Sequence, residues 1–222
     1  MHSMFRSYWH TIPRYTPKAR TGVRFAATAF ILRTPPSSAP REVPTPLVFL
    51  SAKAWDASSS SGMTFLSSML AEKGFTCAQS DLAIPESSRT DSKAMMEAYE
   101  AETTSMVRLT AIPFPPVIVA RSSACLIAET YISSHPASGM VLINPPVSNA
   151  ELVGTKLPTP LKEFDYEPNF PIAVITTPYD VGRLRESNRI FESENVDIIV
   201  VEDLDGGQVF NAVEGWLDKL GI

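Results

Sequence analysis

The sequence predicts an α/β fold of three layers, in which a mostly parallel sheet is flanked by helices. Short apolar runs rich in valine and isoleucine, such as PPVIVA (115–120) and PIAVITT (171–177), are typical of strands that are buried on both faces. Segments with apolar residues at helical spacing lie between these runs. This alternation indicates a parallel sheet whose connecting helices cover both faces.

The predicted elements follow one another with few gaps. Six apolar runs predict strands, over 47–52, 75–83, 115–120, 139–144, 171–177 and 196–203. Five periodic segments predict helices, over 63–74, 91–112, 123–134, 181–194 and 208–220. The first of these helices ends at Gly74, a residue type that favours helix termination. The chain of 222 residues therefore suits one domain with an N-terminal extension.

The N-terminal region differs in charge from the rest of the chain. Residues 1–41 contain seven Arg and Lys and no Asp or Glu, whereas the remainder contains 12 basic and 24 acidic residues. An arginine-rich segment without acids predicts a mitochondrial transit peptide over 1–33, removed near 24–27 or later toward Arg33, and a location in the matrix. A disordered basic tail is the alternative. The segment lacks the uninterrupted apolar run of a secretory signal.

The Pro/Ser-rich segment that follows, 34–46, predicts a linker, so the folded domain is expected over 47–222. The acidic composition of this domain excludes the basic footprint that nucleic-acid binding requires. Two isolated cysteines make neither a disulfide framework nor a zinc site. No apolar run is long enough to predict a membrane span.

A serine lies two residues after the end of the third predicted strand. The stretch VIVARSSACLIAETYI consists of a strand, a short turn and a helix, and Ala120 and Ala124 lie two residues either side of Ser122. A nucleophile elbow needs this order and small flanking residues, because its strained turn packs closely against its neighbours. Here A-R-S-S-A replaces G-x-S-x-G. The pattern predicts that Ser122 is a nucleophile, or the remains of one.

Residues 47–222 resemble the α/β-hydrolase superfamily, in a small form that nearly lacks a cap. Besides the elbow, the resemblance rests on LAEKGFTCAQSDLA, a helix and strand ending near Asp81, on SHP and GMVLINPP after the elbow helix, and on PIAVITTPYD, which ends at Asp180. A flavodoxin-like or other doubly wound sheet is the alternative arrangement.

The resemblance implies positions for a catalytic triad. Ser122 matches the nucleophile and Asp180 matches the acid. The histidine is expected in the turn DLDGGQVF, where Gln208 stands. Of the three histidines, His2 and His10 fall in the predicted transit peptide, and His135 is expected in a turn at the opposite edge of the sheet.

The resemblance also implies the donors of an oxyanion hole. The backbone N–H of Ser123, directly after the nucleophile, is one of them. The other belongs to a His-Gly after the first strand of the domain, and Ser51 and Ala52 stand there instead. Because serine needs an adjacent base and glutamine has no usable pKa, both departures predict impaired catalysis.

Other residues offer further routes to chemistry, each with a structural alternative. Cys125 is either a reactive thiol or a packed core residue. Lys53 is either the base of a Ser–Lys pair or a solvated lysine. Arg121 is either a fixed cation at the cleft mouth or part of a surface salt bridge. The acidic turn 202–205 is either a cation site or a solvated turn.

Two functions from different classes are expected. The first is a catalytically impaired α/β-hydrolase-like protein, a pseudoenzyme that binds or assembles with a partner in the mitochondrion. The alternative is a serine esterase or thioesterase with Ser122 as nucleophile and an unconventional base. Neither function calls for a cofactor or a metal, and the expected partner is an unknown protein or a small acyl ligand. The segment 145–170 is expected to cross the cleft as a loop, leaving it open or filling it with Phe164, Tyr166 and Phe170.

Overall fold

The computed structural model describes residues 29–83 and 89–222. Seven strands in these ranges form one sheet: β1 (Ala29–Arg33), β2 (Val43–Ser51), β3 (Phe75–Asp81), β4 (Val117–Arg121), β5 (Gly139–Ile143), β6 (Ile172–Thr176) and β7 (Val196–Val200). Their order across the sheet is β1-β3-β2-β4-β5-β6-β7. All neighbouring pairs are parallel except β1 with β3.

One helix follows each of the strands β2 to β7 in the chain. These helices are α1 (Met63–Glu72), α2 (Ser92–Leu109), α3 (Cys125–Ile132), α4 (Asn149–Leu152), α5 (Pro178–Ser187) and α6 (Gly207–Lys219). The predicted three-layer architecture with a mostly parallel sheet is confirmed. No helix in the described ranges is long and apolar enough to cross a membrane.

The sheet separates two apolar cores, because side chains of successive strand residues point to opposite faces. In β2, Val48 and Leu50 contribute to the core shared with α2 and α3. Leu47 and Phe49, on the other face, contribute to the core shared with α1 and α6. Burial of the central strands on both faces explains why they are apolar runs without a polar alternation.

The folded domain begins earlier than the predicted boundary at residue 47. Strand β1 lies within the segment predicted as a transit peptide, and its residues pair with β3 from Ala29 with Asp81 to Arg33 with Cys77. Strand β2 begins at Val43, inside the predicted linker. The difference has a physical reason: β1 is an edge strand whose apolar side chains stay largely exposed, so it lacks the signature of a buried strand. Residues 1–28, including His2 and His10, lie outside the described residues.

Helix caps account for a second difference from the predicted elements. The segment predicted as one helix over 181–194 starts at Pro178, because the Thr177 side chain caps it and proline suits the first turn. This helix ends at Ser187. Asn188 is extended, and its side chain accepts from the N–H of Ile190 to start a separate 3-10 turn, Arg189–Glu192.

Candidate active-site cleft

Ser122 has the backbone geometry of a nucleophile elbow. It follows the last residue of β4, starts the 3-10 turn Ser122–Ala124 that leads into α3, and has a φ of 54°. The left-handed region costs a non-glycine residue about 1–2 kcal/mol. Ala120 and Ala124 are fully buried on either side, in line with the small flanking residues that the turn requires. The backbone around Ser122 therefore has the strand, turn and helix that the sequence predicted.

A cavity of about 210 Å³ opens at Ser122 and also reaches Asp180. The two residues predicted as nucleophile and acid thus line the same space. The carboxylate of Asp180, however, accepts from Thr177 Oγ1 at 3.1 Å and lies 3.9 Å from Nη1 of Arg183. None of the hydrogen bonds described for this part of the chain joins Asp180 to Ser122 or to Gln208.

Gln208 has a structural task in the turn between β7 and α6. Its side-chain oxygen accepts from the backbone N–H of Glu202 at 2.8 Å and of Asp203 at 3.3 Å. The amide therefore closes the turn that, in the resemblance, presents the histidine. The hydrogen bonds described for the Gln208 side chain are all to the backbone of this turn.

Asp56 accepts the hydrogen bond of Ser122, a role that the sequence did not indicate, and the hydroxyl of Ser58 lies 2.9 Å from that of Ser122. The Oδ2 of Asp56 accepts from Ser122 Oγ at 2.9 Å and from the backbone N–H of Ser123 at 3.1 Å. Its Oδ1 lies 2.7 Å from Ser58 Oγ and 3.2 Å from the Ser58 nitrogen, capping the 3-10 turn Ala57–Ser60. Asp56 is 5% exposed. A buried carboxylate therefore occupies the space between the loop after β2 and the elbow.

Lys156 pairs with this carboxylate from the loop after α4. Its ammonium lies 3.2 Å from Asp56 Oδ1 and 3.3 Å from the carbonyl oxygen of Trp55. Burial alone would raise the pKa of Asp56, but hydrogen bonds from Ser58, Ser123 and Ser122 outweigh it and hold the pKa well below its usual range. Asp56 is therefore ionised, and the elbow faces a carboxylate whose charge is paired with the ammonium of Lys156.

Both backbone donors predicted for the oxyanion hole already have acceptors within the protein. The N–H of Ser123 donates to Asp56, as described above. The N–H of Ala52 donates to Ser59 Oγ at 3.0 Å. The hydroxyl of Ser51 lies 3.0 Å from the carbonyl oxygen of Ser80 and lies outside the lining of the Ser122 cavity. Ser123 N–H is thus at the elbow as predicted, whereas Ser51 and Ala52 belong to the packing of the β2 loop.

His135 lies far from this chemistry. Its ring stacks on Tyr131 with centroids 4.5 Å apart, and its Nε2 lies 3.2 Å from Thr104 Oγ1. It precedes Ser138, whose N–H bonds to Pro116 just before β4, so this turn is at the amino ends of β4 and β5. Ser122 follows the carboxyl end of β4. His135 is the only histidine in the described ranges. It therefore lies at the edge of the sheet opposite to Ser122, as predicted.

The other residues considered as catalytic or metal-binding candidates have the environments of structural residues. Cys125 is fully buried, and burial raises the pKa of its thiol well above the usual value. Lys53 is exposed, and its described hydrogen bond is from its backbone N–H to Asp81. Among the residues that the structure describes, no group of three His, Cys, Asp or Glu is arranged to hold a metal ion.

Arg121 forms the salt bridge of its second sequence interpretation, with the exposed carboxylate of Asp205, but its own side chain is only 11% exposed. One guanidinium nitrogen lies within 3.0 Å of the carbonyl oxygens of Ser61 and Leu204 and 2.6 Å from Asp205. Arg121 therefore ties the elbow to the turn that precedes α6.

The aromatic residues of the segment 145–170 pack away from Ser122. Phe164, Tyr166 and Phe170 join the core on the α3 side, and the Tyr166 hydroxyl donates to Glu129 at 3.0 Å. Burial raises the pKa of Glu129 to about 7. Only the first part of the segment, 145–152, borders the cavity, and it includes the single-turn helix α4. The cleft is therefore open at Ser122.

Comparison with known proteins identifies the fold of this chain. No family model matches the chain, and no curated protein sequence matches it. Solved structures do match. Esterase Est2 from the planctomycete Thermogutta terrifontis, with propionate bound, has a TM-score of 0.60 at 12% identity, covering 90% of this chain and 92% of that one. The chain has the α/β-hydrolase fold.

Two further solved structures support the same fold. Est816, described as an N-acyl homoserine lactone degrading enzyme, has a TM-score of 0.54 at 13% identity, over 88% of this chain and 96% of that one. A candidate thioesterase from Silicibacter sp. has a TM-score of 0.53 at 17% identity, covering 84% of this chain and 75% of that one. At such identities the likeness concerns the fold, and the predicted resemblance is confirmed at that level.

Proposed function

We propose that this chain is an α/β-hydrolase-fold protein that binds a ligand or partner at its cleft and does not hydrolyse through a serine triad. A single observation supports the absence of triad hydrolysis. The carboxylate of Asp56 lies 2.9 Å from the hydroxyl of Ser122 and 3.1 Å from the backbone nitrogen of Ser123. An anion of the protein itself thus occupies the donor that would stabilise the oxyanion of a reaction at Ser122.

The electrostatics of this arrangement oppose acyl transfer. An oxyanion hole accelerates acyl transfer because its donors face the place where negative charge develops. Here the N–H of Ser123 donates to Asp56 and is therefore not directed at a substrate oxygen, and the ammonium of Lys156 is paired with the same carboxylate rather than with developing charge. The transition state of hydrolysis would therefore lack this stabilisation as long as Asp56 stays in place.

The site also lacks a suitable base in the described contacts. The group that accepts from Ser122 is Asp56, and its lowered pKa makes it a weak acceptor for a proton. Lys156 contacts the far oxygen of that carboxylate. Gln208 and His135 are engaged elsewhere. A serine hydroxyl without an activating base is a poor nucleophile.

A serine esterase or thioesterase is the second candidate, and the solved neighbours favour it. They are esterases and a candidate thioesterase. Within this chain, the left-handed backbone at Ser122 and the shared cavity with Asp180 also support it. This function requires Asp56 to move away from Ser123 so that a substrate oxygen can take its place, and it requires a base that becomes available on that movement.

Reaction with paraoxon separates the two candidates. The Thermogutta esterase has been solved phosphorylated by paraoxon, so it serves as the positive control. With paraoxon, we expect the full chain and Ser122→Ala to release the same background amount of 4-nitrophenolate. With 4-nitrophenyl butyrate, we expect the full chain to hydrolyse the ester at least about a thousandfold more slowly than that esterase does. Mass spectrometry of Ser122 locates any adduct, and Ser122→Ala gives the background.

The outcomes point in opposite directions. A diethylphosphoryl group on Ser122 of the unmodified chain, absent from Ser122→Ala, would overturn the proposal and establish an activated serine. No adduct on a chain that is folded by circular dichroism supports it. If Asp56→Ala then becomes reactive while Asp180→Ala does not, the carboxylate at the elbow is the cause of the inactivity.

We also propose a mitochondrial location, on the basis of the basic, acid-free segment at residues 1–41. A fluorescent protein fused to the C-terminus of the full chain should co-localise with a matrix marker. The same fusion beginning at Ala29 keeps strand β1 and should remain outside mitochondria. Identical distributions of the two fusions would refute the proposal.

A further inference from the structure

A small cavity lies behind the wall of the Ser122 cleft. Its volume is about 60 Å³, which is enough for a few water molecules. Pro146 and Val147 line both this cavity and the Ser122 cavity, so the cleft wall there borders both spaces. On the far side of the small cavity lies Glu129, which belongs to α3, the helix that follows the elbow. A carboxyl group of the elbow helix thus borders the same wall as the Ser122 cavity.

Glu129 has few partners that would stabilise a negative charge. Among the described hydrogen bonds, its carboxyl group accepts one, from the hydroxyl of Tyr166 at 3.0 Å. The guanidinium of Arg189 lies over the Tyr166 ring and donates to the carbonyl oxygen of Tyr166. Burial above all, and the carboxylate of Glu163 as well, raise the pKa of Glu129 to about 7, although the Tyr166 bond and the charge of Arg189 oppose the rise. Glu129 therefore exchanges its proton near neutral pH.

The other ionisable groups near α3 act little on Glu129. Cys125, one turn earlier on the helix, is a neutral thiol because burial raises its pKa well above the usual value. Helix α2 packs against α3, but its Glu100 bonds to Ser134 and lies 3.4 Å from His135, beyond the end of α3. Among the described residues, the charges that act on Glu129 are thus those of Glu163 and Arg189.

The residues around Tyr166 also hold the helix of the cleft wall. Glu163 accepts from the backbone N–H of Asn149 at 2.6 Å, and the Asn149 side chain donates to the carbonyl oxygen of Lys162 at 2.9 Å. Asn149 begins α4, and α4 lines the Ser122 cavity. Tyr166 follows Glu163 by only three positions. A displacement of Tyr166 would therefore be passed to α4 through residues 162–163.

We propose that the protonation state of Glu129 controls how firmly the wall of the Ser122 cavity is held. In the protonated form, the neutral carboxyl group stays against Tyr166, and residues 162–166 keep α4 in place. In the ionised form, the carboxylate gains by moving toward water and away from Glu163, because a buried charge with a single donor is poorly stabilised. Residues 162–166 then loosen, and α4 loosens with them. An effect of this movement on a ligand rests on the proposed function, whereas the movement itself does not.

Hydrogen exchange of the full chain without ligand, measured by mass spectrometry between pH 4 and pH 8, tests this proposal. Division by the rates of the unfolded chain at each pH removes the intrinsic pH dependence of exchange. Glu129→Gln keeps the shape of the protonated form and cannot ionise, so it is the reference. Relative to this variant, opening of residues 145–166 should increase by up to about tenfold per pH unit above the usual glutamate pKa of about 4.5, and should level off near pH 7.

Two neighbours of Glu129 should move the pH of this levelling in opposite directions. Tyr166→Phe removes the hydrogen bond to the carboxylate, so the levelling should move to a higher pH. Glu163→Gln removes a nearby negative charge and keeps an oxygen for the N–H of Asn149, so the levelling should move to a lower pH. Glu97→Gln changes an exposed carboxylate of α2 and should leave the levelling where it is.

The proposal is overturned if the unmodified chain and Glu129→Gln show the same pH dependence of exchange at residues 145–166. It is also overturned if Tyr166→Phe and Glu163→Gln shift the levelling in the same direction. If Glu129→Gln does not fold, the signs of these two shifts still decide. A phosphorylated Ser122 in the paraoxon experiment would overturn the proposed function and leave this test unaffected, because the exchange is measured without a ligand.

Discussion

The elbow and the loops around it differ in how much hydrolase character they keep. The elbow retains the backbone of a reactive serine, with a left-handed Ser122 between fully buried alanines. The loop after β2 and the turn before α6 occupy the places of the oxyanion segment and of the base, but Asp56 there accepts from the N–H of Ser123, and Gln208 bonds within its own turn. Packing of one strand and one helix fixes the elbow, whereas catalysis needs side chains from several loops, each of which can change independently.

Removing the carboxylate at the elbow should have the largest effect on stability. Asp56→Ala removes the acceptor of the buried N–H of Ser123 and of the N–H and hydroxyl of Ser58, and it unpairs the ammonium of Lys156, so we expect a loss of about 3 kcal/mol in the free energy of unfolding. Urea denaturation measures it. Asp180→Ala, on the wall of the same cavity but bonded mainly within its own helix, should cost less than about 1 kcal/mol. Equal losses of stability in the two variants would contradict the view that Asp56, unlike Asp180, holds the elbow together.

The link between the elbow and the turn before α6 should have the next largest effect. Arg121→Met removes the bonds to the carbonyl oxygens of Ser61 and Leu204, and we expect a loss of about 2 kcal/mol. Asp205→Asn changes only the exposed partner of the arginine and should cost about 0.5 kcal/mol. A loss for Asp205→Asn as large as that for Arg121→Met would mean that the ion pair, and not the carbonyl contacts, holds the turn.

The charge of Asp56 should also appear in the pH dependence of stability. Since the pKa of Asp56 is lower in the folded chain than the usual value of about 4, its contribution is complete above that value and decreases as the pH falls below it. The stability advantage of the unmodified chain over Asp56→Asn should therefore be constant between pH 6 and pH 7 and shrink below about pH 4. An advantage that is unchanged at pH 3 would contradict an ionised Asp56 with a lowered pKa.

The strain at the elbow should give the smallest effect. Ser122→Ala and Ser122→Gly both lose the hydroxyl, and they differ only in the Cβ atom at a φ of 54°. We expect the glycine variant to be about 1 kcal/mol more stable than the alanine variant, because glycine adopts the left-handed region without a steric penalty. Thermal unfolding of the pair measures the difference. At an ordinary position glycine would be the less stable of the two, so a reversed sign would exclude strain at Ser122.

Much of the fold could be predicted from the sequence, because burial on both faces of a parallel sheet leaves a strong signal. The runs that form β4, β5 and β6 are almost entirely Val, Ile, Leu, Met and Ala, and each was assigned as a strand. The elbow was predictable for a similar local reason, since strand, small flanks and helix are contiguous. Strand β1 was not predicted, because an exposed apolar edge strand resembles a short amphipathic segment.

The partner of Ser122 could not be predicted in the same way. Asp56 is separated from Ser122 by 66 positions, and its loop, KAWDASSSSG, has the composition of an ordinary polar turn. One local signal was present: an aspartate two residues before a serine is typical of a capped turn, which Asp56 forms with Ser58. That signal indicates the turn, but not that the second carboxylate oxygen faces the elbow. Only the pairing of β2 with β4 brings the two together.

Strand β1 sets a limit on how the N-terminus of this chain can be processed. It covers one edge of β3 by antiparallel pairing along its whole length. A proteolytic cut before Ala29 would release the basic segment and leave this cover intact. A cut at Arg33 would instead uncover the backbone N–H and C=O groups along one side of β3, and an open sheet edge pairs readily with strands of other chains. Loss of residues 29–33 would thus make the domain more prone to aggregation, whereas loss of residues 1–28 would not.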